Sequence, residues 1–193
     1  MMREFKRALA IFIALSIATG LIYPLALTGL SRLLFPRQAE GSLLVVNGKV
    51  AGSELIGQMF TKPEYFHGRP SAADYDAANS SASNMGPSNA KFLDQVRGRV
   101  EQVRSDYKLL PGAPVPPDLV LASASGLDPD ITPEAAMIQV ARVAATRGLP
   151  EEQIERLVRQ HIEPPQFGLW GQRRVNVLKL NLALYALSQG KKP

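Results

Sequence analysis

The side chains of this chain that could make or break a bond are few. A serine nucleophile needs a base within hydrogen-bond reach and a third group to orient that base. Ser123 or Ser125, with His161 and Asp128, is the one set that could supply all three. Neither serine sits in a G-x-S-x-G elbow. His161 falls on the apolar side of a helical repeat, where a packed ring is the ordinary outcome. Asp118, Asp128, Asp130 and Glu134 form the densest carboxylate group, and oxygens of that kind suit a hard cation. The better reading is structural: Asp128-Pro129 and Asp130 shape a turn, and Glu134 complements a helix start. Arg69 and the pair Arg173-Arg174 could meet an acidic partner, but a loop anchor and a solvated rim are the preferred roles. His67 and His161 lie far apart in a chain without cysteine, so a zinc site is not expected. Gly48-Lys49 lacks the glycine spacing and the following hydroxyl of a phosphate loop, and no G-x-G-x-x-G follows a strand. We therefore expect no catalytic residue and no metal ligand.

Two different parts must carry these groups. The first is ALAIFIALSIATGLIYPLALTGLS, Ala8 to Ser31, which has no formal charge. As a helix it would be ~36 Å long, enough to cross a hydrocarbon core of ~30 Å. Pro24, Gly20 and Gly29 would weaken it in water but are tolerated in a membrane. Small residues at Ala14, Ala18, Thr19, Ala26 and Thr28 would let a partner helix approach, although such residues are common in any membrane helix. A cleaved signal peptide is the competing reading, but the run is longer than an apolar region of ~7–15 residues and lacks a small-x-small site. Arg3, Lys6 and Arg7 precede the span, against Arg32 and Arg37 after it, which favours a cytoplasmic N-terminus. The expected organisation is thus residues 1–7 in the cytoplasm, a transmembrane helix and its exit over 8–34, and an extracytoplasmic α+β domain over 41–193, with several helices and short strands. Lipid is one partner of such a chain. The chain has 193 residues and a net charge of +5, with Lys+Arg 22 against Asp+Glu 17, too mixed to argue for nucleic acid. Without cysteine it forms no disulfide.

Within the body, Asn47-Gly48 between apolar runs predicts a hairpin from Leu43 to Gly52. Ser53 reads as the cap of a short helix, Glu54 to Phe60. Thr61 to Asn89 is too long for an idle connection, and Tyr65, Phe66 and Tyr75 argue that it is ordered. Phe92, Val96, Val100, Val103 and Tyr107 form one stripe of a helix from Ala90 to Tyr107, capped by Ser88 or Asn89. Pro111 to Pro117 bends, Leu119 to Leu121 reads as a short strand, and Ser123 to Asp130 as a loop. Thr132-Pro133-Glu134 opens a helix that Gly148 ends. Pro150-Glu151-Glu152 opens another, with Ile154, Leu157, Val158 and His161 inward. Arg174 to Leu178 reads as a strand, and Lys179 to Leu187 as a short helix.

Many of these residues also carry a resemblance. Gly52-Ser53-Glu54-Leu55-Ile56-Gly57-Gln58, Arg69-Pro70-Ser71-Ala72, Gly86-Pro87-Ser88-Asn89, Ser125-Gly126-Leu127-Asp128-Pro129, Arg147-Gly148-Leu149 and Arg174-Val175-Asn176-Val177-Leu178 follow one another in an order that resembles the C subunit of the bacterial Kdp potassium-transporting ATPase. The likeness covers nearly the whole chain. It implies a single-pass accessory subunit of the cell inner membrane, non-catalytic by itself, with its body in the periplasm. It implies as partners a channel-like potassium-binding subunit and an ATP-hydrolysing P-type subunit, with ATP and K+ as ligands of the complex and no cofactor on this chain. It also implies a need for this subunit in assembly, and a role as a catalytic chaperone raising the ATP affinity of the ATPase subunit. The family's proposed nucleotide stretch, a Ser-Gly-Gly-Ser-Asn-like run, maps to Ser80, Ser81, Ser83 and Asn84. Here Ser81 and Ala82 replace the two glycines, which leaves less room for backbone to approach phosphate. Ala124 and Asp130 likewise stand where the family has glycine and histidine. The readings that compete from other classes are a membrane-anchored extracytoplasmic serine hydrolase and a tethered ligand-binding module with Thr61–Asn89 as its lid.

Overall fold

The structure is a computed structural model that describes residues 1–188 and 190; the last positions of the expected body, 189 and 191–193, lie outside the described residues. Two compact units divide the chain, Met1–Ala51 and the part from Gly52 onward.

The first unit is dominated by an apolar helix, Met2–Leu34, long and apolar enough to cross a membrane. It consists of α1 (Met2–Ile17), a wider π turn (Ala18–Ile22) and α2 (Tyr23–Leu34). The π turn lies immediately before Pro24. Proline has no N–H for the carbonyl four residues back, and its ring crowds that carbonyl. Widening the preceding turn accommodates both effects, and the Tyr23 N–H reaches back five residues to the Ala18 carbonyl. Thr19 closes its hydroxyl onto the Leu15 carbonyl at 2.7 Å. Phe35 leaves the helical region because Pro36 follows it, and a single turn, α3 (Pro36–Ala39), ends the segment. The expected hairpin follows as β1 (Leu43–Val46) and β2 (Lys49–Ser53). Asn47 and Gly48 both have positive φ, 51° and 76°, as a type I′ turn requires.

The second unit is a mixed helix and strand domain. Asn89 caps α4 (Ala90–Asp106) by accepting the Phe92 N–H. Thr132 caps α5 (Pro133–Ile138) in the same way through Ala135. The single helix expected from Pro133 onward is in fact two, because the chain tightens at Gln139 before α6 (Val140–Arg147). Next comes α7 (Glu151–Gln160), with Pro150 as its N-cap residue. Three short strands, β3 (Asp130–Ile131), β4 (Ile162–Glu163) and β5 (Arg174–Asn176), make an antiparallel sheet in the order β3-β5-β4. Its register puts Ile131, Val175 and Ile162 on one rung. Because side chains alternate along a strand, that rung faces the core, and Asp130, Arg174, Asn176 and Glu163 share the other face. Finally α8 (Val177–Ser188) follows β5 without a linker. Val143, Ile154, Val158, Val175, Leu180 and Leu184 form the centre of the core, joined by Phe66 from the long loop.

Several local expectations are corrected. No helix forms over Glu54–Phe60: Ser53 turns its hydroxyl to the Leu55 N–H, and the Gly57 N–H bonds the distant Leu127 carbonyl. Leu119 to Leu121 is no strand but the end of a 3-10 turn over Pro117–Leu119, because the Pro116 and Pro117 carbonyls take the N–H groups of Leu119, Val120 and Leu121. The strand at Arg174 stops at Asn176, and the helix begins two residues earlier than expected. Strands β3 and β4 fall where a loop and a helix stop were expected. His161 caps α7 half-buried rather than facing inward.

Candidate functional site

The loop from Thr61 to Asn89 is ordered by side chains from the helices beneath it. Phe66 and His67 run extended without a neighbouring strand, so their backbone groups need other partners. Asn181 of α8 supplies them for Phe66: its Oδ1 accepts the Phe66 N–H at 2.9 Å and its Nδ2 donates to the Phe66 carbonyl at 2.9 Å. Gln139 does the same for His67, accepting the N–H at 2.7 Å and donating to the carbonyl at 3.0 Å. A carboxamide carries one acceptor and one donor group side by side, so each imitates the edge of a strand. Gln139 also donates to the Ala135 carbonyl and accepts from Arg142. From α6, Arg142 donates to the carbonyls of Pro63 and Tyr65, and Arg147 to that of Glu64 at 2.7 Å. The two guanidinium groups lie 5.2 Å from the Tyr107 ring centroid and 5.0 Å from that of Tyr65. Neither carboxamide was expected as a site residue; the available signal is a polar residue within an apolar helical stripe.

The second half of the loop packs on residues 123–128. Arg69 pairs with Asp128 at 2.9 Å, the loop-anchoring role expected of it. Ser71 donates to the Gly126 carbonyl at 2.6 Å, and Tyr75 to the Arg69 carbonyl. Burial, helped by the charge of Asp128, pushes the Tyr75 phenol up to about 12. Ser80 donates its hydroxyl, and Ser81 its N–H, to the Ser125 carbonyl, each at 3.0 Å. Of the remaining nucleotide-stretch residues, Asn84 adopts φ 53°. Ser83 lines an open cleft of about 430 Å³ with Met85, Phe92, Gln95 and Arg99. Arg99 donates to the Val120 carbonyl at 3.0 Å.

A second cleft, about 260 Å³, lies between the loop and α4, lined by His67, Arg69, Arg99, Gln102, Asp106 and Tyr107. His67 donates from Nε2 to the Lys62 carbonyl at 3.0 Å, and the Tyr107 hydroxyl approaches its Nδ1 at 3.5 Å. Burial pulls His67 below the usual imidazole range; the Lys62 carbonyl and Asp106 oppose this, and Arg142 reinforces it.

The polar face of the sheet carries a chain of alternating charge. Arg174 bridges Asp130 at 3.2 Å and Glu163 at 3.0 Å, and Lys179 bridges Glu163 at 2.9 Å and Glu54 at 3.0 Å. Asn176 ties the group to the backbone at the Glu54 carbonyl. Burial raises the Asp130 carboxyl against the opposing pull of Arg174. Burial also works to raise Glu163, but Lys179 and Arg174 outweigh it and hold that carboxyl low.

The groups weighed for chemistry are dispersed. Ser123 and Ser125 stand 3.4 Å apart and accept the N–H groups of Gly126 and Leu127. His161 turns Nδ1 to the Leu157 carbonyl of its own helix, and Asp128 serves Arg69, so the four do not form a triad. Asp118 accepts the Thr132 N–H at 2.6 Å, Asp130 pairs with Arg174, and Glu134 stands in the first turn of α5. Among the described residues no three His, Asp or Glu side chains converge to hold an ion. Arg174 lies within the ion network rather than on a rim, while Arg173 beside it is exposed.

Comparison with known proteins adds what the geometry leaves open. Residues 5–186 match the family model described as KdpC: K+-transporting ATPase, c chain. A protein of Rhodopseudomonas palustris (strain BisB18), named Potassium-transporting ATPase KdpC subunit, is 50% identical over 200 residues, covering 96% of this chain and 99% of its own length. Proteins with the same name from Cereibacter sphaeroides (strain ATCC 17029 / ATH 2.4.9) and Polaromonas naphthalenivorans (strain CJ2) are 52% and 53% identical, covering 96% and 97% of this chain and 98% and 97% of their own.

Proposed function

Because the chain belongs to the KdpC family, the c chain of the K+-transporting ATPase, we propose that it is a non-catalytic accessory subunit needed to assemble that pump. The match over residues 5–186 carries this reading. In it, the helix over 8–34 anchors the chain in the cell inner membrane with residues 1–7 in the cytoplasm, and the body over 41–193 lies in the periplasm. The partners are the channel-like potassium-binding subunit and the ATP-hydrolysing subunit. Support comes also from how the body uses the polar groups weighed for chemistry: Ser123, Ser125, His161 and Asp118 bind its own backbone, and Asp128 and Asp130 pair with arginines. Any rise in the ATP affinity of the pump then acts through the ATPase subunit. Ser80 and Ser81, held on the Ser125 carbonyl, support a structural use of the nucleotide stretch.

The test is potassium uptake in a strain that lacks this chain but keeps the other subunits. The full chain should restore growth in limiting potassium, and the body exported without its helix should not. Ser123→Ala with Ser125→Ala should leave uptake unchanged. Uptake that needs no copy of this chain, or a purified body that turns over a substrate unaided, refutes the proposal. A reporter fused after Pro193 reads the orientation, and a cytoplasmic signal refutes the periplasmic placement.

A further inference from the structure

Between β4 and β5 the chain forms a small knob, Pro164-Pro165-Gln166-Phe167-Gly168-Leu169-Trp170. Phe167, Leu169 and Trp170 are 79%, 80% and 66% exposed. Scattered apolar residues on a surface are normal, but here three large ones fall within four consecutive residues of one knob, the kind of surface that a partner covers. The Phe167 and Trp170 rings meet edge to face with centroids 5.8 Å apart. The backbone beneath them is fixed. Gln166 donates to the Trp170 carbonyl at 2.8 Å, Trp170 donates back at 3.0 Å, and Gly168 donates to the Pro165 carbonyl at 2.9 Å. Phe167 holds φ 53°, the left-handed region that side-chain-bearing residues disfavour and glycine accepts. No acidic residue occurs from Pro164 to Asn176, and the exposed Gln172 and Arg173 flank the rings.

We propose that this knob plugs into an apolar, acid-rimmed pocket on another subunit of the K+-transporting pump. The proposal rests on the accessory role above and names the surface that performs it. Three observations select this occupant. Tryptophan and arginine dominate the centres of protein interfaces. Fixing an aromatic pair before contact favours a pocket of definite shape, because less ordering remains to be done on binding; fluid lipid makes no such demand. The acid-free sequence around Arg173 complements a negatively charged rim.

The experiment uses the full chain co-expressed with its pump. Phe167→Gly removes the ring, yet glycine suits the left-handed backbone at that position. The variant should therefore unfold at the same or a higher temperature, while its retention in the purified pump falls about tenfold or more. Trp170→Ala should show a similar loss, and Trp170→Phe should keep most of the retention. A photoreactive phenylalanine at position 167, irradiated in membranes, should attach to another pump subunit. Attachment only to lipid, only to a second copy of this chain, or to nothing overturns the knob. So does unchanged retention of both Phe167→Gly and Trp170→Ala; if the wild-type chain still co-purifies, the accessory role survives that result. Failure of the wild-type chain to co-purify overturns both.

Discussion

Asn181 shows what one side chain contributes here. It is 2% exposed and holds both backbone groups of Phe66, which is itself fully buried. Replacing it with leucine keeps the number and branching of side-chain heavy atoms but leaves a buried N–H and a buried carbonyl unpaired, each at about 1–3 kcal/mol. Asn181→Leu should therefore lose about 2–6 kcal/mol in urea unfolding of the body. Loss below about 0.5 kcal/mol would mean that the loop repairs itself. His67 makes a second residue-scale prediction, with a definite sign. Its folded pKa lies below the ordinary imidazole value of about 6.5, so the folded state binds fewer protons than the unfolded chain in the window just below 6.5. Its contribution is intact above that window and is lost as pH falls through it. Asp130, raised by burial, acts in the opposite sense, and Glu163, held low, loses its contribution only at still more acid pH. Comparing wild type with His67→Gln isolates the imidazole: the variant's melting temperature should fall less between pH 7.5 and 5.5. Parallel curves would reject the assignment.

At the scale of elements, legibility followed the length and locality of the signal. Capped helices such as α4 and α5 were readable because Asn89, Thr132 and Pro133 act on backbone within one turn of themselves. The hairpin was readable because Asn47-Gly48 contains its whole cause. Strands β3 and β4 were not, since two residues display no alternation, and their pairing partners in β5 lie far along the chain. The supposed helix at Glu54 failed for a related reason: the Gly57 N–H is claimed by Leu127, which local propensity cannot foresee. Of the candidate site, Arg69 as loop anchor was legible, whereas Gln139 and Asn181 were not, because their partners are backbone atoms that any sequence would offer. Gly126 tests this long-range packing. It has φ 69°, and a Cβ there would meet the Ser81 carbonyl oxygen and the Ala73 side chain at 2.8 Å. Gly126→Ala should cost at least about 1 kcal/mol and open residues 72–82 to protease before the body unfolds. An unchanged cleavage pattern would show that the contact does not hold the loop.

At the scale of the molecule, the apolar core runs from Phe60 to Leu187, entirely within the unit that begins at Gly52. A domain with its own core can fold alone. A chain starting at Gly52 should therefore melt cooperatively in water within about 5 °C of the body in the full-length protein, as measured by circular dichroism. Anchoring is a separate property, and among the described residues Met2–Leu34 is the helix long and apolar enough to supply it. Holding a body to a membrane confines it near its partners and raises its effective concentration without any new contact. An accessory subunit whose soluble surface binds weakly would depend on that confinement. At the exported level that fails to restore growth the released body is too dilute to bind; supplied in increasing excess over the other subunits, it should recover part of the pump's potassium uptake, with the recovery rising with dose. Recovery that saturates at stoichiometric amounts would show that the body alone binds tightly and that the helix is dispensable. No recovery at any dose would assign to the helix a contact of its own within the pump.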